Sequence, residues 1–134
     1  MKFLIDADFL VALAKEDDAH HAWALRITET LKEASIFITP FAIPETATVL
    51  SYKVSQKAAK EFLISARKRH FIELPLDEGV IKETDAIFLM QKKKGTSWID
   101  CLNVSCVKIY QLDGILSFDK FYKKAGIKTF TNYM

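Results

Sequence analysis

A three-layer α/β/α sandwich built on a mainly parallel central sheet is the fold class that this sequence predicts. Three observations lead there. Short apolar runs recur along the chain, KFLID at 2–6, SIFIT at 35–39, FIEL at 71–74 and GILSF at 114–118, and they read as strands buried on both faces. Amphipathic segments of helical period lie between them, and strands that alternate with helices belong to parallel sheets covered on each side. The chain has 134 residues, half of them apolar, which is enough for one core and leaves little for a second. A single domain over residues 1–134 is therefore expected.

KFLID supplies the first, central strand. Asp8 is placed to N-cap a helix running to about Lys15, and the polar EDDAH interrupts before a second helix from about Ala19 to Ala34. SIFIT is the next strand. Pro40 and Pro44 mark the entry to a helix carrying Ile43, Ala47, Leu50 and Val54, since a first-turn proline lacks only an N–H that has no intrahelical partner. From Ser55, a possible cap, to His70 the positions Ala58, Ala59, Phe62, Leu63 and Ala66 keep a 3.6-residue period. After the short FIEL strand, a helix from about Asp77 to Lys94 turns Val80, Ile81, Ile87 and Phe88 inward, and Gly95 ends it.

The segment from about Trp98 to Tyr110 is apolar on most sides and should lie deep against the sheet. Asp100 and Asn103, three apart, share one face of it. GILSF is a strand, FYKKA one helical turn, and Ile127 to Phe130 a last strand. No internal repeat or low-complexity linker interrupts this order.

Charge is nearly balanced, with 19 basic against 17 acidic residues. A nonspecific polycation is excluded, so any electrostatic footprint must be local. Arg67-Lys68-Arg69, Lys92-Lys93-Lys94 and the series Lys120, Lys123, Lys124 and Lys128 are the basic stretches, and each reads first as a solvated helix end. Cys101 and Cys106 lie five apart in apolar surroundings, where free cysteine behaves as a small core residue. Neither a disulfide framework nor a CxxC metal site is expected. No run reaches membrane-spanning length, and the first residues do not read as a signal peptide, so a soluble, cytoplasmic protein is expected.

Four acids carry the functional signal. Asp6, Glu45, Asp100 and Asp119 each sit where an apolar stretch gives way to a helix start, and a parallel α/β fold gathers such places at one edge of its sheet. Taken singly, each has an ordinary account. Asp6 can end a strand, Glu45 complement a helix N-terminus, Ser97 with Asp100 form a capping box, and Asp119 cap the turn after it. Jointly those accounts leave unexplained why the acids occur within FLID, WIDCL and LSFD, where a carboxylate is partly buried and burial without a partner is costly. Crowded carboxylates either take up protons or hold a cation, and an all-oxygen set suits a hard divalent ion such as Mg2+ or Mn2+. A metal-dependent enzyme is the reading.

The pattern also resembles the PIN domains, in particular the small stand-alone VapC-type toxin ribonucleases of toxin–antitoxin systems, over essentially the whole chain. FLIDADFLVAL is similar to the family's opening strand, with Asp6 as first acid and Asp8 at a position often held by asparagine or aspartate. DDAHHAWA resembles the loop that follows, with His20 at a frequent histidine. ITPFAIPETATVL resembles the segment bearing the glutamate, here Glu45, and SWIDCLNVSCVK the helix bearing the third acid, here Asp100. GILSFDKFYKKAGI resembles the closing motif, with Ser117 at the usual threonine or serine and Asp119 as fourth acid. Two departures stand out: Cys101 replaces the alanine that often follows the third acid, and the bulky Trp98 precedes it.

The resemblance implies an endoribonuclease that cuts single-stranded RNA with Mg2+ or Mn2+, the metal activating a water and neutralising charge on the phosphate. Asp6, Glu45, Asp100 and Asp119 would be its catalytic residues and metal ligands, directly or through water. Ser117 and Asn103 are candidates to orient a carboxylate or a water, and Asp8 reads as an N-cap before a ligand. His20, His21 and His70 lack metal-ligand spacing and read as surface residues. A cognate antitoxin with a basic or aromatic tail is the implied partner. A homodimer is expected too, since Phe9, Trp23 and Phe41 exceed what one small core needs.

Three other readings compete. Asp6-Ala7-Asp8 after an apolar strand is also the nucleophile and acid pair of haloacid-dehalogenase-type phosphatases, but these want a second acidic pair late in the chain, which SFDKFYK does not supply. A phosphate-accepting receiver domain fits less well, because SIFITP lacks the aspartate it needs. A PIN-like module that binds RNA without cutting it is the non-enzymatic alternative, and the loss of an acid would favour it.

Overall fold

The computed structural model describes residues 1–134, and its element order follows the sequence reading closely. Strand β1 (Lys2–Ile5) lies between β2 (Ser35–Ile38) and β4 (Gly114–Leu116), with the short β3 (Ile72–Glu73) beyond β2. All pairings are parallel, in the order β3-β2-β1-β4. Phe3 is in register with Ile36 on one side and with Gly114 on the other. Asp6 N continues the ladder to Leu116 O at 3.1 Å, so the ends of β1 and β4 emerge side by side.

Successive residues of β1 face opposite layers, as strand geometry requires. Phe3 and Ile5 pack with Phe9, Ile27, Ile43 and Ala66 from helices α1 (Ala7–Ala14), α2 (His21–Thr30), α3 (Ala42–Lys53) and α4 (Gln56–Arg67). Leu4 packs on the other face with Val80, Leu102, Val107 and Tyr122 from α5 (Glu78–Leu89), α6 (Trp98–Ile109) and the one-turn α7 (Phe121–Lys124). Phe3, Leu4 and Phe9 are fully buried, each worth about 2 kcal/mol of apolar transfer. This is the α/β/α sandwich that the pattern predicts. Cys101 and Cys106 are buried free thiols, and no helix is long and apolar enough to cross a membrane.

Local signals decide most helix starts. Ser55 Oγ accepts from Ala58 N at 3.0 Å and Asp77 Oδ1 from Val80 N at 3.0 Å, while Ser97 and Asp100 form the anticipated capping box. Other expectations are corrected. Asp6, not Asp8, caps α1, because the chain turns into a helix as soon as β1 ends, and Asp8 sits inside the first turn. The second helix stops at Thr30, well short of Ala34. α5 ends at Leu89 rather than at Gly95, whose φ of +90° belongs to a separate turn, and Phe88 is exposed. Val54 and Leu63 are likewise exposed, and Phe9, expected as surplus, is core.

The final strand is absent. Thr129 makes one parallel bridge to Ile115, and a capping box of Thr129 with Asn132 then starts a 3-10 turn over Phe130–Tyr133. The segment is held close by Ile115 N, which donates to Lys128 O at 3.0 Å, over the Cβ-less surface of Gly114.

Candidate functional site

The order β3-β2-β1-β4 reverses direction between β1 and β4, and in open parallel sheets the crevice at the carboxyl ends of such a pair is where ligands bind. Asp6 and Ser117 are the residues that leave these two strands there. Asp6 is only 8% exposed, and donors surround its carboxylate. Oδ1 accepts from Ala7 N at 2.8 Å and Asn103 Nδ2 at 3.2 Å, and Oδ2 lies 3.0 Å from the Tyr122 hydroxyl and 3.1 Å from that of Ser117.

Neighbouring acids share those donors. The Tyr122 hydroxyl also lies 3.3 Å from Asp100 Oδ1, and it accepts from Asn103 Nδ2 at 2.9 Å. Ser117 Oγ lies 3.0 and 3.1 Å from the two oxygens of Asp8, and Phe118 N donates to Asp8 Oδ2 at 2.9 Å. Each hydroxyl has a single proton to give. Two hydroxyl protons thus stand between three carboxylates, and a further proton or a cation is needed to complete the set.

The electrostatics agree. Burial, then the charge of Asp8 and, more weakly, that of Asp100, raise Asp6 to about 7, against the lowering bonds from Tyr122 and Ala7 N. Burial and, to a smaller extent, the charge of Asp119 raise Asp8 to about 6, opposed by the bonds from Phe118 N and Ser117. Glu45, in the first turn of α3, is raised by burial and then by Asp6 and Asp100, which places it on the rim of the same cluster. Burial and the charge of Asp6 also raise Tyr122, so its phenol stays protonated as a donor.

The structure therefore brings Asp6, Asp8 and Asp100 into one hydrogen-bonded group, with Ser117 and Asn103 as direct partners and Glu45 facing it. Asp119 stands further out. It is exposed, Oδ1 accepts from Phe121 N at 2.9 Å, and it reaches the group through its neighbour Asp8. Asp8, read from sequence as a cap, is closer to the centre than Asp119. Tyr122 is the residue that sequence reasoning missed. Its only signal was an aromatic with a polar tip three places after Asp119, on a turn otherwise rich in lysine. His20 lies stacked 4.2 Å from the Phe118 ring and His21 Nδ1 is bonded to Ala12 O, so neither turns to the acids.

As folded, no three acidic, histidine or cysteine side chains are close enough to hold a metal ion together. The donor chemistry nonetheless fits a hard divalent cation, because every available ligand is a carboxylate or hydroxyl oxygen and the cluster is short of positive charge. A cavity of about 530 Å3 lies elsewhere, between α1, α2 and α4, and none of the four acids lines it.

Comparison with known proteins places the fold. The family model of the PIN domain matches residues 3–128. VapC20 of Mycobacterium tuberculosis, described as a sarcin-ricin loop cleaving toxin, superposes with a TM-score of 0.83 at 17% identity, covering 94% of this chain and 96% of that one. VapBC2 of Rickettsia felis, solved bound to a DNA fragment from its promoter, gives a TM-score of 0.70 at 13% identity, with 92% of each chain covered. No curated protein matches in sequence. With a family model spanning nearly its whole length and the acids at the carboxyl edge of a four-stranded parallel sheet, this chain belongs to the PIN-domain family.

Proposed function

We propose that the protein is a metal-dependent endoribonuclease that hydrolyses phosphodiester bonds of single-stranded RNA, acting as the toxin of a toxin–antitoxin pair. The observation that carries this reading is the buried Asp6, held at the sheet switch point by four donors, two of which it shares with Asp8 and Asp100. Membership of the PIN family, and the likeness to a toxin described as cleaving the sarcin-ricin loop, support RNA as substrate.

Asp6, Glu45, Asp100 and Asp119 would hold Mg2+ or Mn2+, directly or through water. Such an ion, when bound, supplies a water activated as nucleophile and offsets charge on the phosphate and the departing oxygen. The chain's own work is orientation. Asn103 and Ala7 N fix one oxygen of Asp6, Tyr122 sets the other against Asp100, and Ser117 with Phe118 N holds Asp8. Asp100 is fixed again by its own capping box, since Oδ2 accepts from Ser97 N at 3.3 Å. A cluster so tethered loses little freedom when a cation or a phosphate arrives.

Partners follow from the same reading. A cognate antitoxin, a partner that the VapBC2 likeness supports, would bring a basic or aromatic tail to the acids. A homodimer is proposed from Trp23 and Leu25 on α2, which are 37% and 50% exposed. The deciding experiment incubates unstructured RNA with the purified protein, with Mg2+, with Mn2+ and with chelator, and sequences the fragment ends. Metal-dependent internal cleavage is expected, and RNA that stays intact while bound would make the protein a non-catalytic binding module.

A further inference from the structure

Phe41 and Trp98 form an aromatic corner at the starts of the two helices that carry Glu45 and Asp100. Phe41 is 41% exposed at the N-terminus of α3. Glu45 N donates to its carbonyl at 3.0 Å, so the ring shares a helix face with Glu45. Trp98 opens α6 two residues before Asp100. The two rings meet edge to face, with centroids 6.4 Å apart and planes at 88°. The indole is pinned: Nε1 donates to Asp85 Oδ1 at 2.8 Å, and its inner side packs on the cluster of Leu102 and Tyr122. A half-exposed tryptophan fixed in orientation is a rigid platform with little entropy to lose on stacking.

We infer that this corner stacks one unpaired nucleobase of the RNA substrate next to the bond to be cut, an inference that rests on the ribonuclease reading above. The charge balance of the site calls for such an anchor. A cluster of carboxylates repels a phosphodiester chain, so affinity must come from groups that do not depend on the acids. Base stacking on an aromatic face is one source, and it is tolerant of sequence because every base has a π-face. Cations are the other. Lys92, Lys93 and Lys94 are exposed on the loop that leads into Trp98, where Thr96 closes a turn by donating N and Oγ1 to Lys93 O at 3.4 and 3.2 Å. Lys92, Lys93 and Lys94, then Trp98 and Asp100, thus follow one another along one stretch of chain, and the contact of Trp98 with Phe41 joins it to the helix start that carries Glu45. Cations next to an aromatic platform are the combination that grips single strands. A protein partner would want a broader apolar surface than two rings flanked by charge.

The test separates binding from cutting. Affinity is read by anisotropy of a short, unstructured, fluorescein-labelled RNA in EDTA, and cleavage is followed on the same samples after Mn2+ or Mg2+ is added. Phe41→Ala and Trp98→Ala should weaken binding by roughly ten- to a hundredfold, the range for losing one stacked base. Trp98→Phe and Phe41→Tyr, which keep a ring and avoid any loss of fold, should cost only a fewfold. A series of RNAs carrying one abasic ribose supplies the discriminating readout: at a single position the abasic RNA should bind the parent more weakly and show no further loss with Phe41→Ala. A structural role for the rings would not produce that cancellation. Parent-like binding by a folded Phe41→Ala protein, or an abasic series without such a position, overturns the corner even if the parent cuts RNA. The cancellation in a parent that binds but never cuts upholds the corner and overturns the nuclease reading. A parent that binds no RNA overturns the inference outright.

Discussion

Tyr122 donates its hydroxyl to Asp6 Oδ2 at 3.0 Å across 116 residues of sequence, and that hydroxyl also stands 3.3 Å from Asp100 Oδ1. One phenol thus holds two carboxylates at a set spacing while lowering the tendency of Asp6 to take up a proton. Tyr122→Phe keeps the ring in its fully buried place and removes the hydroxyl, and with it the bond to Asp6, the contact with Asp100 and the bond accepted from Asn103. Stability should fall by about 1 to 3 kcal/mol, the range for losing a buried hydrogen bond and leaving a buried donor, here Asn103, short of an acceptor. The Mn2+ concentration needed for half-maximal cleavage should rise at the same time, because Asp6 becomes harder to ionise. Urea melts and a metal titration check this, and an unchanged metal midpoint would deny Tyr122 a positioning role.

Asp6→Asn and Asp100→Asn should abolish cleavage while leaving the fold at least as stable as the parent. The substitutions remove mutual repulsion, and the rotatable hydroxyls of Ser117 and Tyr122 can turn to accept from the new amide at position 6. Thermal midpoints are to be measured alongside RNA cleavage. A variant that cuts at the parent rate would move the site elsewhere.

Divalent metal should stabilise the protein more at pH 7.5 than at pH 5. Burial and neighbouring acids raise Asp6 to about 7 and Asp8 to about 6, against unfolded values near 4. A raised carboxyl binds more protons folded than unfolded, so its contribution is complete below about pH 4 and is lost as pH rises through about 6 to 7. The metal-free protein therefore loses stability across that window, where the ionised cluster gains most from a cation. A ligand at about a hundred times its dissociation constant adds roughly 2.7 kcal/mol, several degrees of melting temperature for this size. Melts at both pH values with and without Mg2+ or Mn2+ read it out, on the parent and on Asp119→Asn. No metal shift at either pH would remove the shared metal site, and a shift unchanged in the variant would remove Asp119 from it.

Light scattering at micromolar concentration should find a homodimer, and Trp23→Ser, at a ring 37% exposed on α2, should weaken it. A monodisperse monomer for the parent would count against the proposed assembly.

Strands β1 and β4 were legible because a strand buried on both faces must be apolar without alternation, as FLI and GIL are, whereas β2 is only partly buried and both residues of β3 are exposed, against the expectation of burial on both faces. Asp6 and Asp100 were legible for a related reason: a carboxylate inside FLID or WIDCL needs a partner. The ranking of Asp8 and Asp119 was not. Whether Asp8 caps its own helix or reaches across to Phe118 N depends on how β4 ends, which no local pattern records. Tyr122 was hidden because in FYKK it reads as one more amphipathic residue, and its hydroxyl partners lie on other elements. The strand expected at 127–130 failed because a lone bridge to Ile115 leaves that segment at the sheet margin, where the Thr129–Asn132 box bends it into a turn.

The pairing of Phe3 with Gly114 has a consequence for synthesis. Strand β1 is made before the helices that cover it, yet one of its two neighbours, together with Ser117 and Asp119, comes only after all of α1 to α6, and Tyr122 follows Asp6 by 116 residues. On the ribosome, every shorter nascent chain exposes an open edge of β1 and an Asp6 lacking two of its four donors. The carboxylates assume their mutual arrangement only once Tyr122 has been made, so a ribosome that stalls before the closing motif holds a chain whose acidic centre has yet to form.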